Sequence, residues 1–123
     1  SYYQIKYAES TDGIRWNKTG RICIPLTEGE HNVSRTCVIP KDGGYESWYG
    51  VNAGAGYRIG YAKSEDGLDW IRRDGEAGIS LSDSGWDSET QSYPYVIDSD
   101  SGRFMFYNGN GFGRTGLGLA IWE

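Results

Sequence analysis

Apolar positions along this chain come in short bursts. Runs rich in Val, Ile, Tyr, Phe and Trp occupy 36–40, 45–51, 58–63, 94–98, 103–108 and 117–121, and clusters of Gly, Asp, Asn and Ser separate them. Bursts of this length bounded by turn formers are the pattern of successive antiparallel strands joined by hairpins. No stretch repeats apolar residues at helical spacing over a useful length, and 22–34 and "EAGISLSDSG" read as loops. The pattern predicts an all-β chain.

The bursts also recur. "YRIGYAKSEDGLDWIRRDG", from Tyr57, closely follows the wording of "YQIKYAESTDGIRWNKTG", which starts fifty-four positions earlier at Tyr3. "SRTCVIPKDGGYESWYGVNAGAGYRIGYA", from Ser34, aligns without a gap on "SYPYVIDSDSGRFMFYNGNGFGRTGLGLA", from Ser92, at an offset of 58. Val38 meets Val96, Gly44 meets Gly102, Tyr49 meets Tyr107 and Gly60 meets Gly118. Each unit reads as strand A (36–40, 94–98), B (45–51, 103–108), C (58–63, 117–121) and D (15–18, 69–72). Before strand D, "STDGIRW" and "SEDGLDW" predict a turn in which Ser10 or Ser64 and Asp12 or Asp66 accept from nearby amides, with Trp16 or Trp70 covering it.

Four antiparallel strands every 54 to 58 residues fit a β-propeller blade. The chain then divides into strands C and D (1–20), a blade A to D (34–73) and strands A to C (92–122), nine strands or 2.25 blades. Repeat units of this kind cover each other's apolar faces, so the blades at the ends of the series leave faces bearing Val38, Trp48, Phe104 and Phe106 to be closed. The expectation is a homo-oligomer, in the simplest case a dimer completing the propeller; a fragment of a longer protein is the competing reading.

Composition narrows the class of partner. Nineteen Gly, ten Tyr and five Trp in 123 residues suit tight turns and pleated strands. Net charge is −5 and the basic residues are scattered, so no footprint for nucleic acid is expected. No apolar run approaches the length of a membrane span, so no membrane partner is expected either. Cys23 and Cys37 match neither a redox pair nor a zinc pattern, and two packed thiols are favoured over one disulfide. Nothing calls for a cofactor, and the compartment stays open.

"RTCVIPKDGGYESWYGV", "YRIGYAKSEDGLDW" and "SYPYVIDSDSGRFMFYNGNGFGRTGLGLA" resemble the five-bladed β-propeller glycosidases, the arabinanase, levansucrase and invertase-like superfamily that includes glycoside hydrolase family 43. The resemblance implies hydrolysis of a glycosidic bond by carboxylates on the inner strands, one as general acid and another as base or nucleophile. It also places the acid as a Glu two residues before a Pro; here Ser92 stands two before Pro94. Of the family's Arg-Asp-Pro type motif this chain keeps Arg35, followed by Thr36 and Cys37.

Glu89, just ahead of the second strand A, is then the candidate acid, with Asp87 as its helper. At the same offset stands His31, the only histidine, flanked by Glu30. Arg35 is the candidate clamp for a sugar, and Trp48 and Tyr107 are candidate stacking platforms with Asn108 beside them. Each has a competing reading: polar loop residues for Glu89, Asp87 and His31, an ion pair for Arg35, inter-blade core for the aromatics and turn geometry for Asn108. A non-catalytic sugar-binding or oligomerising module is accordingly the alternative function.

Overall fold

The computed structural model describes residues 2–123. Nine strands form three antiparallel sheets: β1 (Ile5–Glu9) with β2 (Asn17–Ile24); β3 (Asn32–Lys41), β4 (Gly44–Asn52), β5 (Tyr57–Ser64) and β6 (Trp70–Arg72) in chain order; and β7 (Ser92–Ser99), β8 (Gly102–Asn108) and β9 (Leu117–Ile121). The fold is a partial β-propeller of about 2.25 blades. Helical backbone is limited to one 3-10 turn at Asp74–Glu76 and a tight turn around 110–113. No helix among the described residues is long and apolar enough to cross a membrane.

The link between the first two sheets is shorter than the sequence implied. β2 continues to Ile24 because Ile22 and Ile24 pair back onto Lys6 and Ile5 through two irregular steps in register. Only 25–31 remain outside strands.

Two apolar layers hold the sheets together. Between the first and second sheets lie Cys23, Ile24, Val33, Tyr49 and Ala62; between the second and third lie Trp48, Ile59, Tyr61, Ala77, Val96, Met105 and Tyr107. Strand alternation produces this arrangement, since Trp48 faces one neighbouring sheet and Tyr49 the other. Both cysteines are free: Cys23 is buried in the first layer, and the Cys37 thiol accepts from the Val96 amide at 3.3 Å in the second.

Two glycines are fixed by close approach. Tyr49 pairs across the sheet with Gly60 and Tyr107 with Gly118. A Cβ on Gly60 would stand 2.5 Å from the Tyr49 ring, and one on Gly118 would stand 2.6 Å from that of Tyr107. Each tyrosine lies across its glycine, and no side chain fits beneath it.

Polar groups cross the interfaces as well. Arg103 on β8 donates to buried Glu46 on β4 at 3.0 Å and lies over the Trp48 ring at 5.2 Å. Burial alone would raise the Glu46 carboxyl, but the Tyr61 hydroxyl and the Arg103 guanidinium more than offset it, and the group sits below its usual value. Arg72 on β6 grips Glu30 with two bonds of 2.7 Å and also donates to Asp74, whose other oxygen accepts from the Tyr49 hydroxyl at 2.6 Å. This network pins the 25–31 link against the second sheet.

The turns before the fourth strands take the form their sequence implies. Gly13 and Gly67 amides donate to Ser10 and Ser64 Oγ at 2.8 Å, and Asp12 and Asp66 each accept from two further amides within 2.9 Å. Trp70 closes its turn by donating from Nε1 to the Gly67 carbonyl at 2.9 Å, whereas Trp16 stays exposed.

One face is left open. On the third sheet Tyr95, Ile97, Phe106, Leu117, Leu119 and Ile121 alternate with the interior residues and are exposed, as is Val38 on β3. Trp48, expected on an open face, is instead 1% exposed, because its face of the second sheet is the one the third sheet covers.

Candidate functional site

β3 and β7 are the first strands of their sheets and lie side by side. Each carries a bulge near its start. Ser34 pairs with Gly50 and Cys37 with Trp48, so three steps on β3 meet two on β4; Ser92 and Tyr95 do the same against Asn108 and Phe106. The extra residue turns the strand locally and re-aims a side chain.

The residues re-aimed are Arg35 and Tyr93, with φ of 55° and 53°. A third non-glycine residue, Phe112, has φ of 59° in the turn between β8 and β9. Among the described residues these are the only non-glycine residues with left-handed backbone, a conformation that costs a side-chain-bearing residue free energy. All three line one pocket of about 400 Å³, together with Tyr3, Ser34, Gly50, Tyr57 and Ser92.

Inside it the rings form a continuous wall. Phe112 meets Tyr57 edge-on at 5.8 Å and Tyr93 at 6.0 Å, and the Arg35 guanidinium lies over the Tyr93 ring at 5.3 Å. Asn108 Nδ2 donates to the Phe112 carbonyl at 3.2 Å and so holds the strained turn in place. Ser92 is 2% exposed, and its Oγ has no hydrogen-bond partner. Among the described residues Arg35 is the only charged residue of the lining, and no carboxylate is part of it.

The expected catalytic residues do not meet here. Asp87 is 4% exposed, and its Oδ2 accepts from Tyr107 at 2.9 Å and Gln91 at 3.0 Å. A hydrogen bond from Ser82, with those from Tyr107 and Gln91, holds its carboxyl below the usual range against the effect of burial. Asp87 is thus a buried acceptor with its bonds from Tyr107 and Gln91 made inside the fold. Glu89 has an exposed side chain, and its backbone is fixed: the amide donates to Asn110 Oδ1 at 2.8 Å and the carbonyl accepts from Arg58 at 3.3 Å.

Trp48 and Tyr107 lie inside the fold as well. Trp48 donates from Nε1 to the Ala77 carbonyl at 3.1 Å, and Tyr107 is 7% exposed beneath Trp86, its hydroxyl pushed up to about 12 by burial and by Asp87. Rings closed between two sheets offer no face to a sugar. His31 is exposed beside β3, its ring edge-on to Tyr2 at 5.9 Å and its carbonyl bonded to the amide of pocket residue Tyr3. Among the described residues no group of three or more His, Cys, Asp or Glu is gathered as metal ligands would be.

Arg35 lies in the pocket lining together with Tyr57, Tyr93 and Phe112, which the sequence did not single out. Tyr93 had a usable signal, since it occupies the position of Arg35 one unit later. Phe112 had none, because left-handed backbone at a non-glycine residue leaves no mark in the sequence pattern.

Comparison with known proteins bears on the fold. Two uncharacterized Mycobacterium tuberculosis proteins are 43% and 42% identical over 120 residues; the match takes in 97% of this chain and 40% of each relative, so the chain spans about two fifths of their length. No family model matches. A family 117 glycoside hydrolase of the marine bacterium Zobellia galactanivorans superposes with a TM-score of 0.80 at 22% identity over 97% of this chain and 38% of its own. A thermostable family-43 glycoside hydrolase gives 0.63 at 24% over 84% and 39%, and a further glycoside hydrolase 0.72 at 16% over 94% and 44%. The chain shares its fold with part of each of these glycoside hydrolases.

Proposed function

We propose that this chain supplies part of the saccharide-binding face of a glycoside-hydrolase-like propeller and contributes binding groups rather than the hydrolytic carboxylates. The observation that carries the reading is the convergence of Arg35, Tyr93 and Phe112 on one aromatic pocket at the head of the first strands, each held in left-handed backbone. Strain of this kind persists where surrounding structure imposes it, and it gathers at ligand sites. An aromatic wall with a few convergent polar groups is the usual composition of a small-molecule site, and the volume lies in the usual range.

Hydrolysis needs two carboxyl groups with access to the glycosidic oxygen and to the anomeric carbon. Asp87 has no access, and the pocket lining holds neither Asp nor Glu. Absence of an acidic lining favours binding over turnover, as does Ser92 at the position where the resemblance puts the acid.

Saturation-transfer NMR against a panel of mono- and disaccharides tests the reading. Sugar signals are expected with the parent chain and are expected to fall at least severalfold with Tyr93→Ala and Phe112→Ala, while thermal unfolding reports that the variants stay folded. Binding that is unchanged in both variants overturns the site. Reducing-sugar release by the parent chain that is lost in Glu89→Gln would restore the catalytic reading in its place.

A further inference from the structure

We propose that the pocket selects a sugar bearing a carboxylate, a uronic acid residue, with Arg35 as the group that recognises the acid. This rests on the saccharide reading above and specifies the class of sugar. The protein as a whole carries a net charge of −5, with seventeen acidic residues. Yet among the described residues the one charged group in the pocket lining is a cation, Arg35, and it makes no ion pair. Arg72 and Arg103, by contrast, are each held by two carboxylates. Arg35 is instead exposed and lies over the Tyr93 ring at 5.3 Å, so its fork is open to an incoming anion.

A second, independent observation lies next to it. Ser92 is a lining residue whose buried hydroxyl has no partner among the described residues, and a buried polar group left unpaired is costly unless something arrives to pair with it. A sugar hydroxyl supplies both the donor and the acceptor that a serine can use. The rings of Tyr57, Tyr93 and Phe112 provide flat apolar surface for the C–H face of a pyranose. One guanidinium, unaccompanied by a second cation, matches a monovalent planar carboxylate through two parallel bonds; a phosphorylated sugar carries more charge than it can neutralise.

Titration of the chain with glucuronic and galacturonic acid, with glucose and galactose as neutral counterparts and galactose 6-phosphate as the dianion, separates the outcomes. One or both uronic acids are expected to bind at least tenfold tighter than their neutral counterparts and than the phosphate. Arg35→Gln is expected to remove that preference, with a loss of about tenfold to a hundredfold for the acid and little change for the neutral sugar. Arg35→Lys is expected to restore part of it, since the charge returns without the fork. Ser92→Ala is expected to weaken every sugar severalfold while leaving thermal unfolding in place, because its hydroxyl holds nothing in the free protein.

Equal binding of acid and neutral sugar, or tighter binding of the phosphate, overturns the uronic acid assignment and leaves the saccharide site standing. No binding of any of the five overturns both. A drop in unfolding temperature of Ser92→Ala beyond a few degrees shows that its hydroxyl is structural and removes it from the site.

Discussion

Arg35 carries a left-handed backbone on an exposed residue that makes no ion pair among the described residues. Left-handed backbone costs a residue with a Cβ about 1 kcal/mol or somewhat more, which glycine avoids, while glycine gives back about 0.4–1 kcal/mol through the unfolded chain. Arg35→Gly is therefore expected to unfold at an unchanged or slightly higher denaturant concentration while losing the preference for acidic sugar. A loss of more than about 1 kcal/mol in equilibrium unfolding would show instead that the Arg35–Tyr93 contact holds the first strands together. At this scale the sequence was only partly readable. Arg35 stood out as a cation on an expected strand, but Trp48 and Tyr107 looked the same as ligand-stacking rings, because alternation along a strand does not say whether a neighbouring sheet covers the face.

Among the elements, the two Ser-x-Asp-Gly turns were the most readable, since their bonds are local and fixed by spacing. Asp66 shows how they respond to pH. Amides of Asp69 and Leu68, with the Ser64 hydroxyl, hold its carboxyl below the usual value near 3.8. A lowered folded value means that the ionised turn stabilises the fold at any pH above the unfolded value and loses that contribution as pH falls through the folded one. The gap in unfolding free energy between the parent chain and Asp66→Ala is thus expected to be flat from pH 7 to about 4 and to narrow below it. A gap that narrows already between pH 7 and 5 would place the linked titration elsewhere. The hairpins of the second and third sheets were legible from their turn residues, whereas the full extent of β2 and β3 and the bulges of β3 and β7 were not: an extra residue alters neither composition nor the local apolar run, and shows only once the partner strand fixes the register.

For the whole molecule, nearest-neighbour packing decides stability. The first and second sheets, and the second and third, bury their faces against each other, while the far face of the third keeps Tyr95, Ile97, Leu117, Leu119 and Ile121 in water. An apolar face formed by three strands is expected to draw in cover, so static light scattering should report self-association that rises with concentration, and Leu119→Glu should abolish it. A concentration-independent monomer of the parent chain would sink that expectation. The propeller architecture was visible in the recurrence at 54 to 58 residues, but what meets its open face was not, since a sequence marks which face is apolar without naming what covers it. The bulges of β3 and β7 bear on how such a protein can change over evolutionary time. Deleting the extra residue would swap the sides of every later position on its strand, driving Val38 or Ile97 inward and Cys37 or Val96 out. Substitution at positions 35 and 93 can therefore reshape the pocket without disturbing the sheet, whereas a change in the length of the strands that present those residues cannot.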